Sequence, residues 1–181
     1  YQLQITGKDN QISIKDILIG DVWLCSGQSN MQWVVNNVTN AEVEKKNANY
    51  SQIRTLNIPR RMELSPKDTI STTWLVCSPE TVGRFSGVAY FFARKVYEET
   101  NIPIGIINSS WGGTIVETWT SLEAANTLPQ KRLDRYNKNE KLSPPTEYFT
   151  RTNKEAKRND YPSLVYNAMI HPLLSLSLIH I

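Results

Sequence analysis

Residues 23–33, WLCSGQSNMQW, carry an apolar run straight into a Gly-Gln-Ser-Asn-Met turn, and the reading of that turn decides the fold. Just before it, QISIKDILIGDVW sets Ile12, Ile14, Ile17, Ile19 and Val22 among polar neighbours, a β-like pattern that alternates first and is then nearly continuous. Ser29 therefore follows a strand. Gly27 takes backbone angles closed to other residues, and Ser and Asn are common where a chain turns from a strand into a helix. A serine in that position is ordinarily a helix cap. A nucleophilic serine needs more: a hydroxyl exposed at the carboxyl end of a strand and a backbone N–H beside it to receive the oxyanion formed on attack. SGQSNM provides for both. It is not the G-x-S-x-G elbow of the α/β-hydrolases, because the residue two after Ser29 is Met31.

The 181 residues suffice for one α/β domain with a full core. The formal charge is +3, and residues 131–160, with nine Lys/Arg against five Asp/Glu, account for the excess. That segment reads as a solvated surface. A nucleic-acid partner calls for a basic stripe interleaved with aromatics or a fold signature, and the sequence has neither. Cys25 and Cys77 stand without a C-x-x-C or a clustered histidine, which argues against structural zinc and against a disulfide framework. Each reads as a small buried hydrophobe, with a Cys25–Cys77 bridge left open. No stretch reaches the length of a membrane span, so no membrane insertion is expected, and Tyr1 does not begin a signal peptide. The chain opens mid-strand at YQLQITG without a Met, as a fragment or processed product does.

After the turn, residues 31–49 carry a short helix with Ala41 and Val43, and SQIRTLNIP gives Ile53, Leu56 and Ile58 to a strand stopped by Pro59. Residues 60–80 read as polar loop with an isolated Trp74. From Gly87, VAYFFARKVYEET places Val88, Phe91, Phe92 and Val96 at helical spacing with a charged opposite face, ended by NIP. IPIGIINSSWGGT is a short apolar run of the kind a buried parallel strand has. Strand, helix and strand of this type form a βαβ unit. In open α/β sheets ligands sit beyond the carboxyl ends of the strands, which places Ser29 and the Gly112-Gly113 loop together. Residues 122–161 read as helix, surface loop, helix around Pro144-Pro145, and no internal repeat is visible.

Gly112-Gly113 is either a tight turn or a backbone that approaches a ligand closely enough to donate N–H groups. It is too short for a phosphate cradle, and no Lys follows as in a P-loop. Trp111, Glu117 and Trp119 lie beside it. An aromatic platform with a carboxylate suits a sugar, though both tryptophans fit a core equally well. YPSLVYNAMIHPL mixes apolar residues with Asn167 and His171, and a lone His next to Pro reads as structural or surface.

The blocks GDVWLCSGQSNMQW, FSGVAYFFARKVYEE, IGIINSSWGGTIVETW and YPSLVYNAMIHPL, in this order and spacing, resemble the sialate O-acetylesterase family over nearly the whole chain. The resemblance implies an SGNH-type hydrolase, a doubly wound α/β sandwich with a parallel sheet. It implies removal of O-acetyl groups from sugars, sialic acids among them, with no metal and no cofactor. It implies Ser29 as nucleophile, with its own N–H and that of Gly112 or Gly113 in the oxyanion hole. Gln28 and Asn30 would position the serine turn, Trp111 would meet the sugar, and Glu117 would anchor the sugar or the loop. A periplasmic or secreted setting also follows from it.

The chain departs from the pattern after Leu173. Family members continue to a Gln-Gly-Glu motif that helps hold the oxyanion and, much later, to an Asp-x-x-His pair that completes the triad. Here SLSLIHI follows, and Ala168 and Ser177 stand three before His171 and His180, so neither histidine has that motif. Residues 1–16 read as the end of a preceding β-rich segment, 17–175 as a partial esterase domain, and 176–181 as a non-native tail. The chain alone is expected to be inactive. A sugar-binding or scaffold module without the chemistry is the competing reading, and acyl transfer to a sugar hydroxyl uses the same residues. An Asp-x-x-His in the longer reading frame separates enzyme from module.

Overall fold

In a computed structural model, residues 1–129, 131 and 161–174 are described. The β-patterned amino-terminal residues form a hairpin of β1 (Leu3–Thr6) and β2 (Gln11–Ile14), in the register Leu3↔Ile14, and the Gly7 N–H donates to the Asn10 carbonyl at 2.8 Å across its turn. A four-stranded sheet follows, in the order β3 (Asp21–Gly27), β6 (Ile104–Ser110), β4 (Tyr50–Asn57), β5 (Trp74–Cys77). At one end of the β3–β6 pair the Asp21 N–H donates to the Pro103 carbonyl (2.9 Å), and at the other the Trp111 N–H donates to the Gly27 carbonyl (3.0 Å). Starts meet starts and ends meet ends, so the two strands run parallel. The sheet is mixed, because β5 lies antiparallel to β4. With helices flanking it, the fold is α/β.

Two compact units make up the chain. The first comprises residues 1–25, 33–56 and 74–108, and the second comprises 26–32, 57–73 and the described residues from 109 onward. In the first, Ile53, Ile104, Ile106, Ile107, Val35, Val82 and Phe85 are buried. The expected strand around Ile53 and Leu56 is β4, and the short helix is α2 (Ala41–Asn47). In the second, Ile58, Leu164, Val165, Met169 and Leu173 are buried, and the segment around them coils through Tyr166–Ile170 and His171–Leu173.

The helix expected after Gly87 is α3 (Gly87–Thr100), but its inward face differs from the expected one. Ala89, Tyr90 and Ala93 are buried, whereas Val88 and Phe92 are exposed. Two small side chains and one large ring thus make up the buried face, a mixture of volumes that close packing favours. Phe92 instead meets Trp23 edge to face, with ring centroids 5.0 Å apart. Ser86 caps the amino end, accepting from the Ala89 N–H at 3.3 Å, and Asn101 ends the helix in the left-handed region (φ 56°).

A second correction concerns residues 60–80. Trp74 is not isolated in a loop but begins β5, which pairs Thr55↔Leu75 and Leu56↔Trp74. WLVC is only four residues at a sheet edge, too short for its alternation to stand out in the sequence. Of the expected helix, loop and helix over 122–161, a short turn, α4 (Leu122–Ala125), is present. Most of the remainder, and the proposed tail at 176–181, lie outside the described residues.

Cys25 and Cys77 are free thiols, both buried, as small hydrophobes are. Burial pushes Cys77 from its ordinary 9.0 up to about 11, and Tyr90 from 10.0 up to about 12 against the opposing charge of Arg94. The folded chain thus keeps protons that the unfolded chain releases. Stability is fully present below about pH 9 and falls as pH rises through the two folded values. Urea midpoints between about pH 8 and about pH 11 are expected to decline, and Cys77→Ala to flatten the first part of that decline.

Candidate active site

The site lies in the second unit, where β3 and β6 deliver their final residues. Gly27 ends β3 at φ 149°, and the next residues wind into a single helical turn, α1 (Ser29–Gln32), with the Gln32 N–H donating to the Gln28 carbonyl at 2.9 Å. Ser29 is the first residue of this turn and is exposed. The first N–H groups of a helical turn have no acceptor within the helix, so the Ser29 amide belongs to that class.

The loop after β6 is drawn to the same place. Beyond the Trp111–Gly27 bond, the Gln28 amide Nε2 donates to the Thr114 carbonyl, and the Gly112 N–H donates to Gln32 Oε1 at 2.5 Å. A side-chain carbon built on Gly112 would lie 3.1 Å from Ser29 Oγ and 3.1 Å from Gln32 Oε1. Gly113 adopts φ +78°, with nothing within 4 Å of where a side chain would start. The first glycine permits close approach and the second a left-handed turn, two separate reasons for the pair.

Trp111 is half-buried, and Asn30 is exposed. Glu117 sits in the turn Val116–Trp119 and is buried, and its backbone carbonyl accepts from the Ser163 N–H at 3.1 Å. Trp119 Nε1 donates to Thr114 Oγ1 (2.7 Å), which in turn donates to the Trp111 carbonyl (2.7 Å), so this tryptophan braces the loop. His171 bonds elsewhere: its Nδ1 lies 3.1 Å from the Lys67 carbonyl and 3.8 Å from Asp68 Oδ1. A carbonyl only accepts, so Nδ1 carries the proton. Among the described residues no group of three or more His, Cys, Asp or Glu is placed to hold a metal, and no helix is long and apolar enough to cross a membrane. A hollow of about 470 Å³ lies at the other ends of β3 and β6, beside Gly20, Pro103 and Trp74.

Residues 19–146 match the family described as carbohydrate esterase, sialic acid-specific acetylesterase. The chain belongs to that family. Sialate O-acetylesterases of Pongo abelii and Homo sapiens are 36% and 35% identical to it, each over 92% of this chain and 31% of the relative. A carbohydrate acetylesterase from Xanthomonas citri superposes with a TM-score of 0.75 at 30% identity, over 96% of this chain and 34% of that one. The chain thus spans about a third of the length of the curated acetylesterases it matches.

Of the residues singled out in the sequence, Ser29, Gln28, Trp111, Gly112 and Gly113 come together, and Glu117 is held inside the same unit. Gln32 and Thr114 were not singled out. The signal for Gln32 was its spacing, since residues three apart on a helical turn share a face. Gly113→Ala is expected to cost about 1 kcal/mol, from backbone strain alone. Gly112→Ala is expected to cost about 1–3 kcal/mol, because its methyl crowds Ser29 and Gln32. Urea unfolding of the two variants checks the order.

Proposed function

We propose that this chain carries the nucleophile and part of the oxyanion hole of an esterase that removes O-acetyl groups from sugars, sialic acids among them. The observation that supports it best is the exposed Ser29 at the end of β3, with the Gly112 backbone brought against it from the end of the parallel neighbour β6. Ser29 Oγ attacks the acetyl carbon, and the carbonyl electron pair moves onto oxygen. The Ser29 and Gly112 N–H groups receive that charge, the sugar oxygen leaves with a proton, and water then releases acetate from the acyl-enzyme. Removal and return of the proton fall to the imidazole of the Asp-x-x-His motif of full-length family members. His171, engaged with Lys67 and Asp68, is a structural residue in this scheme. A periplasmic or secreted setting accompanies the proposal.

In the full-length protein, Ser29→Ala is expected to lower turnover of an aryl acetate or acetylated sugar by about a million-fold, because nucleophile and base act as a unit. Circular dichroism and the urea midpoint should stay near those of the wild type. A variant that kept a tenth of the activity would remove Ser29 from the role. Unchanged binding of a sugar by a protein with no Ser29-dependent turnover would favour the binding module.

A further inference from the structure

The Gly112 N–H is already engaged. Its acceptor is the side-chain oxygen of Gln32, at 2.5 Å, across a separation of 80 residues in sequence. Only the oxygen of that carboxamide accepts from an N–H, so the orientation of the amide is determined by the contact. Gln32 closes the single turn that Ser29 opens, and their side chains converge on one point: Oε1 and Oγ both lie 3.1 Å from where a Gly112 side chain would begin. The carboxamide oxygen is a planar sp² acceptor, as is the acyl oxygen of an acetyl ester. One N–H proton cannot serve both in full.

We propose that Gln32 is a built-in occupant of the oxyanion pocket, whose side-chain oxygen takes the Gly112 N–H in the free protein and must swing away before an acyl oxygen is received. The inference rests on the reading of Ser29 as nucleophile and Gly112 as oxyanion donor. The arrangement has a physical rationale. A half-buried N–H left without a partner is costly, so the internal acceptor keeps the loop in its working shape between turnovers. Substrate then exchanges one hydrogen bond for a similar one, and Gln32, a flexible and half-buried side chain, is able to leave. The consequence is competition for one donor, worth the population shift set by one net hydrogen bond, roughly fivefold.

The test uses the full-length protein with p-nitrophenyl acetate, and two near-isosteric substitutions with opposite expected effects. Gln32→Leu removes the competing oxygen and is expected to raise kcat/KM roughly fivefold, mainly through KM. Gln32→Glu places a charged acceptor on the same N–H and opposes a developing oxyanion. It is expected to lower kcat about a hundredfold, with the deficit against the wild type narrowing below about pH 5 as the carboxylate is protonated. Hydrogen exchange at the Gly112 amide should be faster in Gln32→Leu than in the wild type. If both variants lose activity equally at every pH, or Gly112 exchange is unchanged, Gln32 is only a brace and the proposal is overturned while an inactive Ser29→Ala leaves the nucleophile standing. If Ser29→Ala retains turnover, the nucleophile reading falls and the proposal falls with it.

Discussion

The parallel pairing of β3 with β6 is the constraint on which the candidate site depends. Bonds at the strand starts and just beyond their ends set the register, so the turn after β3 and the loop after β6 have to emerge side by side. Gln28 and Thr114, 86 residues apart in sequence, bond only because of that register. A slip by one residue would send each side chain to the opposite face and would separate the Gly112 N–H from the serine turn. The candidate site is thus positioned by backbone hydrogen bonds to which none of its own side chains contributes.

In the second unit, three hydrogen bonds from polar groups tie distant segments together. Ser109 Oγ donates to the Met169 carbonyl at 3.0 Å, the Val165 N–H donates to Thr118 Oγ1 at 3.3 Å, and Asn167 Nδ2 donates to the Glu63 carbonyl at 3.0 Å. Each bond ties a distant segment to its neighbour, and each would be costly to leave half made in a buried setting. The interior that supports the glycine loop is therefore specified by direction as well as by apolar volume. Trp119 extends this bracing to the loop itself through Thr114.

How far sequence reading reached follows from the range of the forces involved. The strand at Ile104–Ser110 was legible because burial on both faces demands an unbroken apolar run, and its residues are buried nearly throughout. The helix after Gly87 was legible from its period, but its inward face was not. Large apolar residues suggested Val88 and Phe92, whereas the buried positions are Ala89, Tyr90 and Ala93, two of them too small to stand out in an apolar pattern. The edge strand Trp74–Cys77 was missed because four residues carry too little pattern, and its pairing with β4 decides its state.

The sequence by itself determined that a serine follows a strand, that a glycine pair follows another, and that four ordered blocks resemble a family of carbohydrate esterases. These are local or collinear signals, written in residue type and spacing. Only the tertiary structure decided that Gly112 is pressed against Ser29, that Glu117 is turned inward, and that Gln32 holds the Gly112 N–H. Those facts depend on which strands pair and on which groups then compete for one proton. Both are set by contacts across 80 or more residues of chain, which no local pattern encodes.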